Sequence, residues 1–158
     1  MSLDRARAIA LIADCSDPEK LKRMAANAHR LGETEIERAA SLKLYSVMPS
    51  AEPGTLEYDV WRSIYALEGA LKAERGKTIM LGRTRQKIAR DGEVATVADL
   101  VMGTASNGFR MLIERRMEDH TFEAVALRHA DRFDGVVLEA ASARLTGPDG
   151  EVPGATNP

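Results

Sequence analysis

Residues 55–76 read TLEYDVWRSIYALEGALKAERG. Thr55 is a good N-cap and Gly76 a good left-handed stop, so the segment carries both ends of a helix. Between them Leu56, Val60, Ile64, Leu67 and Leu71 recur at helical spacing. Tyr58, Trp61 and Tyr65 make a second stripe beside the first. Apolar groups over so wide an arc need cover on two sides, which predicts the central helix of the fold. Gly69 lowers helix propensity inside it and is a candidate for a close helix crossing.

Upstream, Pro49 to Gly54 (PSAEPG) reads as a linker. Before it the pattern predicts three helices. Ser2 can cap the first, through about Ala13, with Ala6, Ile9, Ala10 and Ala13 on one face. Asp17-Pro18-Glu19 starts the second with a capping aspartate, proline at the first helical position and an acid in the first turn. Leu21, Met24, Ala25, Ala28 and Leu31 form its inward side, and Gly32 ends it. Thr34 is expected to cap the third, with Ile36, Ala39, Ala40, Leu44 and Val47 inward. The short Gly32-Glu33 turn makes the last two an antiparallel hairpin. It resembles one unit of a helical repeat, but no second copy follows at a fixed period.

Downstream, residues 75–92 read RGKTIMLGRTRQKIARDG. Arg75, Lys77, Arg83, Arg85, Lys87 and Arg90 precede the next acid, Asp91, in a chain of formal net charge -2. Gly82 to Asp91 is predicted to be a helix. On a wheel Arg83, Gln86, Lys87 and Arg90 share one face, Leu81, Thr84 and Ile88 face the core, and Arg85 projects from the far side. Such a stripe suits a phosphate backbone or a groove. Thr96 is expected to cap a helix from Val97 to Met102. A turn at Gly103–Ser106 follows, and then a helix capped by Ser106 and carrying Arg110, Arg115 and Arg116. These are helix-turn-helix proportions, although Met102 stands where a glycine would be wanted. The competing reading is that the cations pair with the acids of neighbouring helices: Glu57, Asp59, Glu68, Glu74, Glu114, Glu118 and Asp119.

Other chemistries find little support. Gly76-Lys77-Thr78 resembles the end of a phosphate-binding loop, but Leu71 occupies the position of the required earlier glycine and a helix, not a strand, precedes it. The single cysteine, Cys15, permits no internal disulfide and no zinc site of its own. His29 reads as solvated, and His120 lies beside Glu118 and Asp119. His129 falls among Phe122, Val125 and Phe133, where a histidine is usually bonded to a carbonyl or carboxylate within the core. Glu68 is the carboxylate expected to be partly buried, met by an arginine of the basic segment. Cofactor and metal are not expected, and no nucleophile, base and donor set converges.

The sequence therefore predicts an all-α protein of about eight helices. Its organisation is an N-terminal helical hairpin region (1–50), a larger orthogonal helical unit (55–146) and a flexible tail (147–158) rich in proline and glycine. Thr121 and Asp134 are expected to cap the last two helices. The expected function is non-enzymatic binding of DNA or RNA through Arg83, Arg85, Gln86, Lys87, Arg90, Arg110, Arg115 and Arg116. The alternative is a helical interaction module, docking a second copy or another protein through the Thr55–Glu74 helix. No apolar run is long enough for a membrane span. The opening residues lack the order of a secretory signal, and the expected location is cytoplasmic.

Overall fold

The computed structural model describes residues 3–147, and the expected flexible tail lies almost wholly outside them. Those residues form nine α-helices and two 3-10 turns, with no strand among them. They divide into two compact units, one within Met1–Ser50 and one within Ala51–Pro158.

The first unit holds α1 (Leu3–Ala13), α2 (Pro18–Arg30) and α3 (Thr34–Val47). Its core is Ile12, Leu21 and Ala40, flanked by Met24, Ala25, Ile36, Ala39, Leu44 and Val47. Asp17 caps α2 by accepting from the Glu19 N–H at 3.1 Å. Gly32 turns the chain at φ +71°, a conformation that suits glycine. Three expectations need correction. The inward edge of α1 is Arg5, Ala8, Ile9 and Ile12, while Ala6, Ala10 and Ala13 are exposed. Alanine marks a face weakly, so the isoleucines set the rotation, and Arg5 is further held by Glu33 at 3.0 Å. Leu31 is 66% exposed because α2 has already ended, leaving it as the C-cap. Glu33 occupies the N-cap position of α3, so Thr34 is its first helical residue and caps nothing. The expected cap at Ser2 lies outside the described residues.

The second unit is built on α4 (Leu56–Arg75), with α5 (Gly82–Asp91), α6 (Glu93–Met102), α7 (Asn107–Glu114), α8 (Phe122–Arg128) and α9 (Gly135–Thr146). Thr55 accepts from the Tyr58 N–H at 3.2 Å and Gly76 closes α4 at φ +73°. Leu56, Val60 and Ile64 are shielded from water and meet Val97 and Val101 of α6, Val125 and Ala126 of α8, and Val137 and Ala141 of α9. Each buried aliphatic side chain contributes about 1.5–3 kcal/mol. A close approach to α4 falls at Gly108 of α7, where an added Cβ would lie 2.6 Å from Leu67 Cδ2.

Ser106 and Thr121 cap α7 and α8 as expected. Thr96 does not begin a helix. Gly92, at φ +88°, reverses the chain directly after α5, so α6 starts at Glu93. Thr96 is then an interior residue whose hydroxyl donates to the Gly92 carbonyl at 2.8 Å. Asp134 sits at the N-cap of α9 but makes no side-chain cap bond. Arg144 of α9 donates to Glu123 of α8 at 2.8 Å and to the Leu100 and Gly103 carbonyls at the end of α6. One guanidinium thus serves a buried carboxylate and an unfinished helix terminus.

Candidate nucleic-acid interface

Helix α5 places its cations by a simple rule. Leu81, Thr84, Arg85 and Ile88 follow the i, i+3, i+4, i+7 spacing of a core-facing edge. Arg85 therefore points inward, not to the far side. Its Nε and Nη2 donate to Glu68 Oε2 and Oε1 at 2.8 and 2.7 Å. The same carboxylate accepts from the Leu81 N–H at 2.9 Å, so Glu68 also orders the start of α5. The guanidinium lies 5.3 Å from the Trp61 ring centroid and 5.7 Å from that of Tyr65. Bonding to Glu68 holds the Arg85 pKa above the ordinary arginine value, against the opposing effect of burial. Glu68 is thus met by an arginine of the basic segment, as the sequence suggested, and Arg85 is a structural cation.

Lys87 bonds Asp99 of α6 at 2.7 Å and Asp91 at 3.4 Å. Arg90 donates to both oxygens of Asp91, at 3.1 and 3.2 Å. Lys87 is raised from its ordinary pKa, first by Asp99, and Arg90 by Asp91. Asp91 is correspondingly lowered, first by Arg90 and then by Lys87. Two of the three stripe cations are therefore compensated within the unit. Arg83 and Gln86 are exposed, with no bonding partner for either side chain among the described residues.

Around α5, Arg75, Lys77 and Arg110 are also exposed and make no ion pair among the described residues. Arg115 lies 3.7 Å from Glu74 and reaches the Met111 carbonyl. Arg116 is exposed at φ +55° and ends α7: its N–H bonds the Ile113 carbonyl, and the Met117 N–H bonds the Leu112 carbonyl. Helix α7 follows α6 across the Gly103–Ser106 turn and rests on α4 and on the turn at Glu118–His120. It buries Phe109, Met111, Leu112 and Ile113, and its exposed side chains are Asn107, Arg110 and Glu114.

Trp61 and Tyr65 are half-buried, and the large apolar side chains exposed in this unit (Met80, Leu100, Met102, Leu127 and Val136) lie off α4. His129 is not within a helix but is the C-cap of α8. Its Nε2 lies 2.7 Å from Asp59, which also receives Arg128 Nε at 3.3 Å. That is the structural role expected of it, with the carboxylate supplied by α4. His29 is exposed and lies 3.0 Å from Glu37. Among the described residues no cluster of three or more His, Cys, Asp or Glu could hold a metal ion, and no helix is long and apolar enough to cross a membrane.

Sequence reasoning passed over Glu123, Arg144 and Asp99. Only Glu123 carried a signal, since it falls next to Phe122 at the start of an apolar run. No protein-family model matches this chain, and no curated protein or solved structure shows significant similarity to it.

Proposed function

We propose that the second unit is a non-enzymatic nucleic-acid-binding module that contacts phosphate through Arg75, Lys77, Arg83 and Arg110, with Gln86 beside them. The observation that carries this reading is that these four cations are exposed and form no ion pair among the described residues. The interface is smaller than the sequence suggested, because Arg85, Lys87 and Arg90 are engaged by Glu68, Asp91 and Asp99. Four phosphate contacts give weak binding, and log K should fall by about 3.6 for each log unit of salt.

Fluorescence anisotropy with duplex DNA, single-stranded DNA and RNA at two salt concentrations tests the proposal. Lys77→Glu, Arg83→Glu and Arg110→Glu together should abolish binding at low salt. Binding with flat salt dependence, or none at low salt, rejects it. The alternative, a protein-interaction module docking through Thr55–Glu74, has less geometric support, because the apolar arc of that helix is largely covered by α6–α9 and by Arg85.

A further inference from the structure

The second unit carries a half-open cavity of about 440 Å³. Its volume falls in the range of small-molecule sites, roughly 300–1,000 Å³. One wall is a single edge of α4: Ser63, Leu67, Leu71 and Arg75, with Ile64 beside them. These four residues are spaced four apart, so they follow one ridge inclined to the helix axis. Twelve residues of rise set the two ends of that ridge about 18 Å apart along the axis, and residues from both ends line the cavity. Ile79, Met111 and Leu112 add apolar surface from across the space.

The two ends differ in chemistry. At one end Ser63 is 3% exposed, and its Oγ has no hydrogen-bond partner among the described residues. At the other end Arg75 is exposed and has no ion pair among them. Arg144 also lines the cavity, but it is already satisfied by Glu123 and two carbonyls. The free polar groups of the α4 wall are thus a shielded hydroxyl and a distant cation, with leucines between.

We infer that this cavity binds an elongated amphipathic carboxylic acid. The carboxylate pairs with Arg75, the hydrocarbon chain lies along Leu67 and Leu71, and an oxygen at the far end of the chain bonds Ser63 Oγ. A ten-carbon chain suits the span once the reach of the arginine and serine side chains is subtracted. The inference shares Arg75 with the nucleic-acid proposal, while its interior contacts, Ser63, Leu67 and Leu71, lie away from Lys77, Arg83 and Arg110.

The test is calorimetric titration of the full chain with 10-hydroxydecanoate, decanoate and methyl decanoate. The expected order is 10-hydroxydecanoate, then decanoate, then the ester, with each step about five-fold or more in affinity, the size of one net hydrogen bond or ion pair. Arg75→Gln should bring decanoate to the level of the ester and leave 10-hydroxydecanoate above it by the hydroxyl step alone. Ser63→Ala should leave decanoate unchanged and erase the advantage of the hydroxy acid. Gly108→Ala, whose new Cβ would push Leu67 into the cavity, should weaken all three. Circular dichroism confirms that each variant is folded. Absence of saturable binding to the folded wild type overturns the inference. So does an affinity order that Arg75→Gln and Ser63→Ala leave unchanged, or a hydroxyl that adds nothing in the wild type. Ser63→Ala and Gly108→Ala should leave DNA binding intact, so failure of this reading is distinguishable from failure of the other.

Discussion

Glu68 and Arg85 allow the sharpest test of how the second unit is held together. The glutamate side chain is 10% exposed and the arginine 27%, and two short bonds join them in fork geometry. Glu68→Ala strands the guanidinium against Trp61 and Tyr65 and removes the acceptor of the Leu81 N–H. Breaking a buried pair costs about 3–5 kcal/mol. Arg85 keeps a quarter of its surface in water, so the lower end applies, about 3 kcal/mol. Arg85→Ala loses the same pair and the aromatic contact, but Glu68 retains the Leu81 N–H, giving about 2–3 kcal/mol. The double variant removes both charges together and should cost about 1.5–2 kcal/mol less than the sum of the singles. Trp61 is the only tryptophan and belongs to this unit, so its fluorescence in a urea titration reports this unit alone. Arg85 is shifted upward, so its contribution is complete below the ordinary arginine pKa and adds no pH dependence near neutrality. A coupling under about 0.5 kcal/mol would refute the reasoning and class the pair with ordinary surface bridges.

Three further outcomes follow from named contacts. Asp91→Asn should free Arg90 while Lys87 stays on Asp99, raising DNA affinity and steepening the salt slope by about 0.9, as read by anisotropy. Because the Asp91 pKa is lowered, its contribution to stability holds above the ordinary carboxylate value and is lost as pH falls through the folded value, so the variant should lose that part of the acid-induced decline below about pH 4. Arg116→Gly relieves a non-glycine residue at φ +55° and should stabilise the unit by about 0.5–1 kcal/mol in thermal melts, net of the greater freedom of the unfolded chain. Asp59→Ala leaves His129 and Arg128 without their shared carboxylate and should cost about 2–4 kcal/mol in urea, with Asp59→Asn costing less because an amide still bonds the histidine.

The helical architecture was legible wherever large side chains and end signals agreed. Helix α4 has aliphatic residues at regular spacing, a threonine cap and a glycine stop, and it formed with those ends. Helix α1 offered mostly alanines, which bury little area and so fix its rotation weakly; Ile9 and Ile12 decided it. Thr96 has the chemistry of a cap, but the freedom of Gly92 to reverse the chain starts α6 three residues earlier, at Glu93. The basic segment was visible as charge, but charge does not reveal direction. Arg85 belonged to the inward edge by spacing and was placed outside by polarity alone. Asp99, which meets Lys87, lies on the next helix, and no local pattern announces a pairing made by folding across a turn. The cavity was beyond reach for a similar reason: its walls come from segments between Ser63 and Arg144 that only packing brings together.

The reach of Arg144 has a consequence for how the chain is made. The Glu123 carboxylate and the last carbonyls of α6 are synthesised well before the residue that satisfies them. During translation a nascent chain can form α4 to α8 yet still hold an acid with no counter-charge and a helix end with no donor. These polar contacts of the second unit are therefore completed only once α9 is made, and a chain cut short before Arg144 should be cleaved faster by added protease than the full chain.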